Sequence, residues 1–355
     1  MLDNSVILLT GGTGSLGKEF IKILLSYYRP EKIIVYSRDE LKQHEMSQSF
    51  KSPIINYRLG DVRDRDRLNQ VMRGVDYVIH AAALKHIPPG EIQPMEYIQT
   101  NVYGAHNIIN AAIENQVKKV IAISTDKAVN PINLYGATKL TADKLFIAAN
   151  NISTRMTQFS IVRYGNVIGS RGSVIPFFQK IIREGATELP ITDRRMTRFW
   201  IELHESVEFI LKSLGKMQGG EIFIPKIPSM KITDLAAALA PELPHKIIGI
   251  RPGEKLHELL CTKEHSYLTL EFSDCYIIKP PFDLCPPVDF SCNGIGETGI
   301  PVPDGFEYSS DQNTQWLTQE QLLKAIQYWV DANKTAVSLS RTERPYLNLR
   351  KIPTS

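Results

Sequence analysis

The stretch Val6-Ile7-Leu8-Leu9-Thr10-Gly11-Gly12-Thr13-Gly14-Ser15-Leu16-Gly17 decides the fold. Its first half is a short, apolar, partly β-branched run, which with Ser5 reads as a buried strand ending at Thr10. Phe20, Ile21, Leu24 and Leu25 then recur at helical spacing. Between strand and helix, Gly11, Gly14 and Gly17 supply a tight turn, a close backbone approach to a pyrophosphate and close helix-to-strand packing. The phosphates are expected at the helix N-terminus, beside Thr13, Ser15 and Leu16. Glycines alone would mark only a turn, but a strand before and a helix after make this a dinucleotide site.

Outward from that turn, Lys32 to Ser37 reads as a second strand, followed by Arg38-Asp39 where a ribose-reading residue is expected. Asp39 would accept the 2′-hydroxyl of NAD, whereas Arg38 would grip the 2′-phosphate of NADP. Ser37, Arg38 and Lys42 together favour NADP. Ile54 to Leu59 is a third strand, and Asp61, with Val62 beside it, is placed to accept from an adenine amino group. Val75 to His80 is a fourth, ending in Ala81-Ala82-Ala83, whose small side chains let a cofactor lie against the backbone. Lys85 and His86 follow at the cleft mouth, and a helix from about Pro94 to Asn115 carries Asn101, able to bond toward the strand ends. Strands at Val120 to Ser124 and Gln158 to Tyr164 alternate with a helix from about Asn133 to Ala149. The alternation specifies an α/β fold with a doubly wound parallel sheet.

The chain has 355 residues, 43% of them hydrophobic, enough for two lobes around one cleft. A net charge of +3 with dispersed Lys and Arg excludes a dedicated nucleic-acid surface. No apolar run approaches the roughly 20 residues of a membrane span, and Met1 to Thr10 does not read as a cleaved signal. A cytoplasmic protein is expected. Cys261, Cys275, Cys285 and Cys292 lack Cys-x-x-Cys spacing, so no metal site is expected.

The chemistry is expected in Ser124 to Lys139, which begins at the C-terminal tip of a buried strand, where open α/β sheets place ligands. Thr125, Asp126 and Lys127 stand at that tip. Tyr135 and Lys139, four apart in a run of helix formers, project from one helix face. A phenol beside the Lys139 ammonium and a cationic nicotinamide is shifted toward phenolate and suits proton abstraction from a hydroxyl. Further on, Gly165 to Ser173 is a polar, glycine-rich loop, Val174 to Arg183 a helix, and Leu189 to Trp200 carries Arg194, Arg195 and Arg198. With Arg171 these suggest a diphosphate site. Arg251 to Glu258 adds a cation and carboxylates, and His204 to Gly215 reads as a helix packed back on the first lobe. No chemistry is assigned to Pro280 to Ser310. Thr318 caps a final amphipathic helix.

These motifs resemble the extended short-chain dehydrogenases/reductases that act on nucleotide sugars. Within that group, Thr125-Asp126-Lys127 followed by Asn130-Pro131-Ile132-Asn133-Leu134-Tyr135-Gly136-Ala137-Thr138-Lys139 is similar to the inverting UDP-N-acetylglucosamine 4,6-dehydratases of pseudaminic acid biosynthesis. Retaining dehydratases carry Thr-Asp-Glu at the first three positions, and C4 epimerases carry small and hydroxyl residues. Membrane-bound relatives commonly carry Met in place of Tyr135. The loop Lys85-His86-Ile87-Pro88-Pro89-Gly90-Glu91 departs from the family pattern, in which Lys-His-Val-Pro is usually followed by a small residue or Cys.

The resemblance implies a Rossmann domain over 1–165 with a returning segment around 198–225, a smaller C-terminal substrate-binding domain over 166–330, and a basic tail over 331–355. It implies a tightly bound NADP regenerated in each cycle, held by Gly11, Thr13, Gly14, Ser15, Leu16, Gly17, Arg38, Lys42, Asp61, Val62, Ala81, Ala82, Ala83, Lys85, Asn101, Tyr135 and Lys139. It implies Thr125, Asp126, Lys127 and Tyr135 as catalytic residues. A UDP-sugar would be held by Lys85, Asn166, Arg171, Thr192, Arg195, Met196, Arg251 and Glu254, in a homo-oligomer, dimer or hexamer. A nucleotide-sugar C4 epimerase or reductase, needing only Tyr135 and Lys139, and a non-catalytic NADP-binding module are the alternatives.

Overall fold

The computed structural model describes residues 1–153, 156–170 and 172–334. Arg171 and nearly all of the basic tail lie outside them. The glycine stretch lies between strand β1 (Val6–Thr10), all five residues of which are buried, and helix α1 (Ser15–Tyr27). β2 (Lys32–Ser37), α2 (Glu40–Ser49), β3 (Ile55–Leu59) and α3 (Arg65–Val71) follow, the two helices capped by the carboxylates of Asp39 and Asp64. After β4 (Tyr77–His80), α4 (Ile87–Ile92) turns the chain into one long helical path. Instead of one regular helix from Pro94 to Asn115, that path is α5 (Pro94–Tyr97), a π-helical turn (Ile98–Tyr103) and α6 (Gly104–Glu114). β5 (Lys119–Thr125), α7 (Leu134–Ile152, capped by Asn133) and β6 (Gln158–Tyr164) complete the alternation.

The region expected as a loop after Tyr164 contains a short strand, β7 (Asn166–Ile168), before α8 (Val174–Arg183). β8 (Leu189–Ile191), β9 (Thr197–Glu202) and α9 (Leu203–Lys216) follow, and α9 packs against α1. The chain then forms β10 (Ile222–Pro225), β11 (Ser229–Lys231), α10 (Ile232–Leu239), β12 (His245–Ile247) and β13 (Leu259–Cys261). β14 (Thr269–Glu271), β15 (Cys275–Ile278), β16 (Ile300–Pro301), β17 (Tyr308–Ser309) and α11 (Gln319–Lys334) end it. Thr318 and Gln321 exchange side-chain to backbone bonds of 3.2 and 2.9 Å, a capping box at the start of α11.

The main sheet has ten strands in the order β16-β14-β15-β10-β6-β5-β4-β1-β2-β3. From β10 to β3 every pairing is parallel, and β15, β14 and β16 add an antiparallel edge. The strand order reverses between β1 and β4, so a crevice opens at their C-terminal ends, the switch point of a Rossmann sheet. A large core built on this sheet is joined by a smaller cluster around Ile175, Phe178, Trp200, Leu235 and Leu322. Among the described residues no helix is long and apolar enough to cross a membrane.

Candidate active site

A cleft of about 780 Å³ follows the switch point. Gly11, Thr13, Gly14, Ser15 and Leu16 line one end, with Ser37, Arg38, Asp39, Lys42, Asp61 and Val62 beyond them. Ala81, Ala82, Ala83 and Lys85 form the floor. Gly11 has φ +65°, and a Cβ there would lie 2.9 Å from the Ala82 backbone, so the turn and the β4 exit touch as backbone. Gly17 does not face the cleft: its Cβ would stand 2.1 Å from the Gly12 carbonyl oxygen, so it sets how closely α1 meets the turn. This shallow backbone cradle at a helix N-terminus fits a dinucleotide pyrophosphate.

Two expectations at this end change. Asn101 is absent from the cleft lining because its amide is spent internally: it accepts from Leu84 N at 2.9 Å and donates to Leu84 O at 2.9 Å and Thr138 Oγ1 at 3.0 Å. It ties the π turn to the β4 exit and α7 as a brace. Lys42 bonds Asp39 Oδ2 at 2.5 Å, so neither is a free cation or a free carboxylate. Asp39 is held below the usual carboxylate range by that bond and by the Lys42 amide it caps. Arg38 keeps a half-exposed guanidinium, 3.7 Å from Asp61.

At the β5 tip the other end of the cleft is lined by Thr125, Lys127, Tyr135 and Lys139. Asp126, fully buried, accepts on Oδ1 from Thr125 Oγ1 and from Lys127 Nζ, both at 2.9 Å. Gly136 makes this fit possible, since a Cβ there would lie 2.1 Å from the Lys127 carbonyl oxygen. Burial pushes the Tyr135 phenol up to about 12, against the Lys127 ammonium and a hydrogen bond with Thr125, which pull it down. The cation pulling the phenol down in this arrangement is Lys127. Lys139 donates instead to Ile123 O at 2.7 Å, and burial lowers its affinity for a proton despite Asp143.

Lys127 is flanked by a second acid, from the Arg251 to Glu258 loop, that the motif reading did not place beside it: Glu258 Oε1 lies 3.4 Å from its Nζ. Burial disfavours the ammonium, but Asp126 and Glu258 together outweigh it and raise the Lys127 pKa. Lys85, in the same cleft, moves the opposite way through burial and the Lys127 charge. The signal for Glu258 was a charged residue immediately before the apolar run Leu259-Leu260-Cys261, where nothing local accounts for it.

Among the described residues, Arg195, Arg198 and Arg251 do not line the cleft; Arg171 lies outside the described residues. Arg198 is buried and donates to the carbonyls of Thr197, Leu256 and Lys255 at 2.7 to 3.2 Å. Arg195 chelates Asp193 from the surface at 2.8 to 3.0 Å. Met196 belongs to the smaller core cluster and takes a bond from Thr192 Oγ1, while Arg251 pairs loosely with Glu254 at 3.7 Å. None of Thr192, Arg195, Met196, Arg251 and Glu254 lines the cleft; Asn166 and Lys85 do.

A family model described as polysaccharide biosynthesis protein matches residues 7–280. The chain belongs to this family. Within the polysaccharide biosynthesis protein family, it is 60% identical over 330 residues to a UDP-N-acetylglucosamine 4,6-dehydratase (inverting) of Campylobacter jejuni, covering 92% of this chain and 99% of that one. It is 44% identical over 272 residues to a UDP-glucose 4-epimerase of Rickettsia akari, covering 74% and 80%. Among solved structures it resembles Pen from Bacillus thuringiensis, with 34% identity, a TM-score of 0.83, and coverage of 95% and 99%.

Proposed function

We propose that the chain is a UDP-N-acetylglucosamine 4,6-dehydratase that inverts C5 and forms UDP-2-acetamido-2,6-dideoxy-β-L-arabino-hex-4-ulose for pseudaminic acid synthesis. The observation that carries this reading is the buried Asp126 paired with the cleft-lining Lys127 beside Tyr135, in a chain 60% identical to a relative of that name. In this reading, residues 1–165 and the segment around 198–225 serve the dinucleotide, and 166–330 serve the sugar nucleotide. Gly11, Thr13, Gly14, Ser15 and Leu16 would hold the pyrophosphate, and Arg38 the 2′-phosphate of NADP. When bound, the nicotinamide supplies the acceptor and later the donor of one hydride, so no net oxidant is needed.

Burial holds the Tyr135 phenol up rather than toward phenolate. Tyr135 would therefore accept the proton of the sugar 4-hydroxyl only with a cationic nicotinamide bound beside it to favour the phenolate, with Thr125 bonding the same oxygen. The resulting 4-ketone acidifies the C5 proton, which Lys127 removes. Asp126 protonates the departing 6-hydroxyl, which leaves as water. C5 then regains a proton on the opposite face. The 44% identical relative named as an epimerase favours a second reading, C4 epimerisation, which would need Tyr135 but neither Asp126 nor Lys127.

Proton NMR of the purified protein with UDP-N-acetylglucosamine in deuterated water distinguishes the two. A 4-keto-6-deoxy product of L-arabino configuration, deuterated at C5, is expected. Recovery of UDP-N-acetylgalactosamine, or unchanged substrate with NADP+ supplied, overturns the dehydratase reading.

A further inference from the structure

We propose that Glu258 is a positioning residue for the elimination, acting through Lys127: it holds the amine opposite Asp126 and sets how readily the two exchange a proton. This rests on the dehydratase reading above. Lys127 Nζ sits between two buried carboxylates, 2.9 Å from Asp126 Oδ1 and 3.4 Å from Glu258 Oε1. Asp126 Oδ2 is buried without a hydrogen-bond partner among the described residues; Glu258 Oε2 also accepts no hydrogen bond there but has the Lys255 ammonium 3.7 Å away. Glu258 is fixed rather than mobile. Its amide donates to Ser310 Oγ at 2.9 Å, its carbonyl accepts from Ser310 N at 2.9 Å, and Ser310 Oγ lies 2.7 Å from Thr197 Oγ1.

Charged and titratable groups surround Lys127 from every side. Asp126 comes from its own segment, Lys85 from the β4 exit, Tyr135 from α7, with Asp143 of the same helix acting on that phenol, Arg198 from β9, and Lys255 and Glu258 from the loop before β13. Arg198 Nε lies 3.9 Å from Glu258 Oε1, and Lys255 Nζ lies 3.7 Å from its Oε2. Asp143 is already paired with Arg163 at 3.1 Å.

The elimination needs a neutral amine at Lys127 and a proton on Asp126. Transfer across their hydrogen bond supplies both: one N–H bond breaks, one O–H bond forms, and total protonation is unchanged. The amine then takes the C5 proton and Asp126 gives its own to the leaving hydroxyl, which restores ammonium and carboxylate. The negative charge of Glu258 makes neutral Lys127 rarer but more basic. It therefore raises the Lys127 pKa, and its removal is expected to move the pH dependence of the elimination downward.

The test is the pH profile of kcat for Glu258→Gln, Glu258→Asp and Lys255→Met, in proteins whose folding is checked by thermal unfolding. Loss of the charge in Glu258→Gln should move both limbs of the bell to lower pH by roughly one to two units. Glu258→Asp, which keeps the charge, should leave the limbs in place while lowering kcat. Lys255→Met removes a positive charge from the same cluster and should move the limbs upward, which keeps the idea testable if Glu258→Gln does not fold. Limbs that stay fixed in the folded charge-changing variants while kcat falls uniformly overturn the inference. If the unaltered protein makes no 4-keto-6-deoxy sugar, the dehydratase reading falls first and this inference with it.

Discussion

At the scale of single residues, the adenosine end of the cleft turns on which charges are already spent. Asp39 is consumed by capping α2 and by Lys42, which removes the carboxylate that would read an NAD ribose and one cation that would read NADP. Arg38 is left half exposed, and its partner Asp61 is itself claimed by Arg63 at 2.8 Å. Arg38→Ala is therefore expected to weaken NADP binding by about tenfold or more, since a charge-assisted phosphate contact contributes about 1.5–3 kcal/mol, and to leave NAD binding nearly unchanged. Titration of each dinucleotide by calorimetry reads this directly; equal losses for both would show that Arg38 holds no 2′-phosphate. The sequence could place Arg38, Asp39 and Lys42 at the end of β2, because strand length and glycine spacing fix that point. It could not tell that Lys42 lies one turn along α2 within reach of the Asp39 cap.

At the scale of elements, β1, α1 and the Tyr135–Lys139 face of α7 were legible because hydrophobic period and glycine spacing are local properties. The π turn was not, since an extra residue in a helical turn leaves composition and amphipathicity almost unchanged. That turn carries Asn101, which closes three hydrogen bonds around Leu84 and Thr138. Asn101→Ala strands the Leu84 amide in a part-buried site and is expected to cost about 2–4 kcal/mol. Urea unfolding gives the loss, and dinucleotide titration should show weaker binding as the β4 exit loosens. Unchanged stability would mean that α5 and α6 hold this exit without the bridge. The partners of Arg198, the arginine of β9, were not legible for a different reason. Counting cations along a chain says nothing of which carbonyls they reach, and Arg198 reaches three.

At the scale of the molecule, the core carries a titratable group that ties its stability to pH. His80 is fully enclosed between β1 and α7, with Nδ1 2.8 Å from Thr10 Oγ1 and its ring 5.6 Å from that of Phe146. Burial, aided by Lys139, lowers its pKa from 6.5 to about 3. The unfolded chain thus binds a proton between those values that the folded chain does not. The contribution of His80 is complete above pH 6.5 and is lost as pH falls toward 3, at about 1.4 kcal/mol per pH unit. His80→Asn should be less stable at pH 7 yet lose less between pH 6.5 and 4.5 than the unaltered protein, measured by denaturant unfolding at each pH. Parallel pH curves would place the acid sensitivity elsewhere.

The whole molecule also assembles what no single segment contains. The Gly, Pro and Cys-rich stretch to which the sequence assigns no chemistry delivers Ser310, whose bonds seat Glu258 beside Lys127. On a ribosome, the parallel strands through Pro225 and their glycine turn are synthesised long before Ser310 emerges. The seat of Glu258 beside Lys127 is therefore the last part of this cluster to be completed, because its anchor Ser310 is translated after every other residue of it.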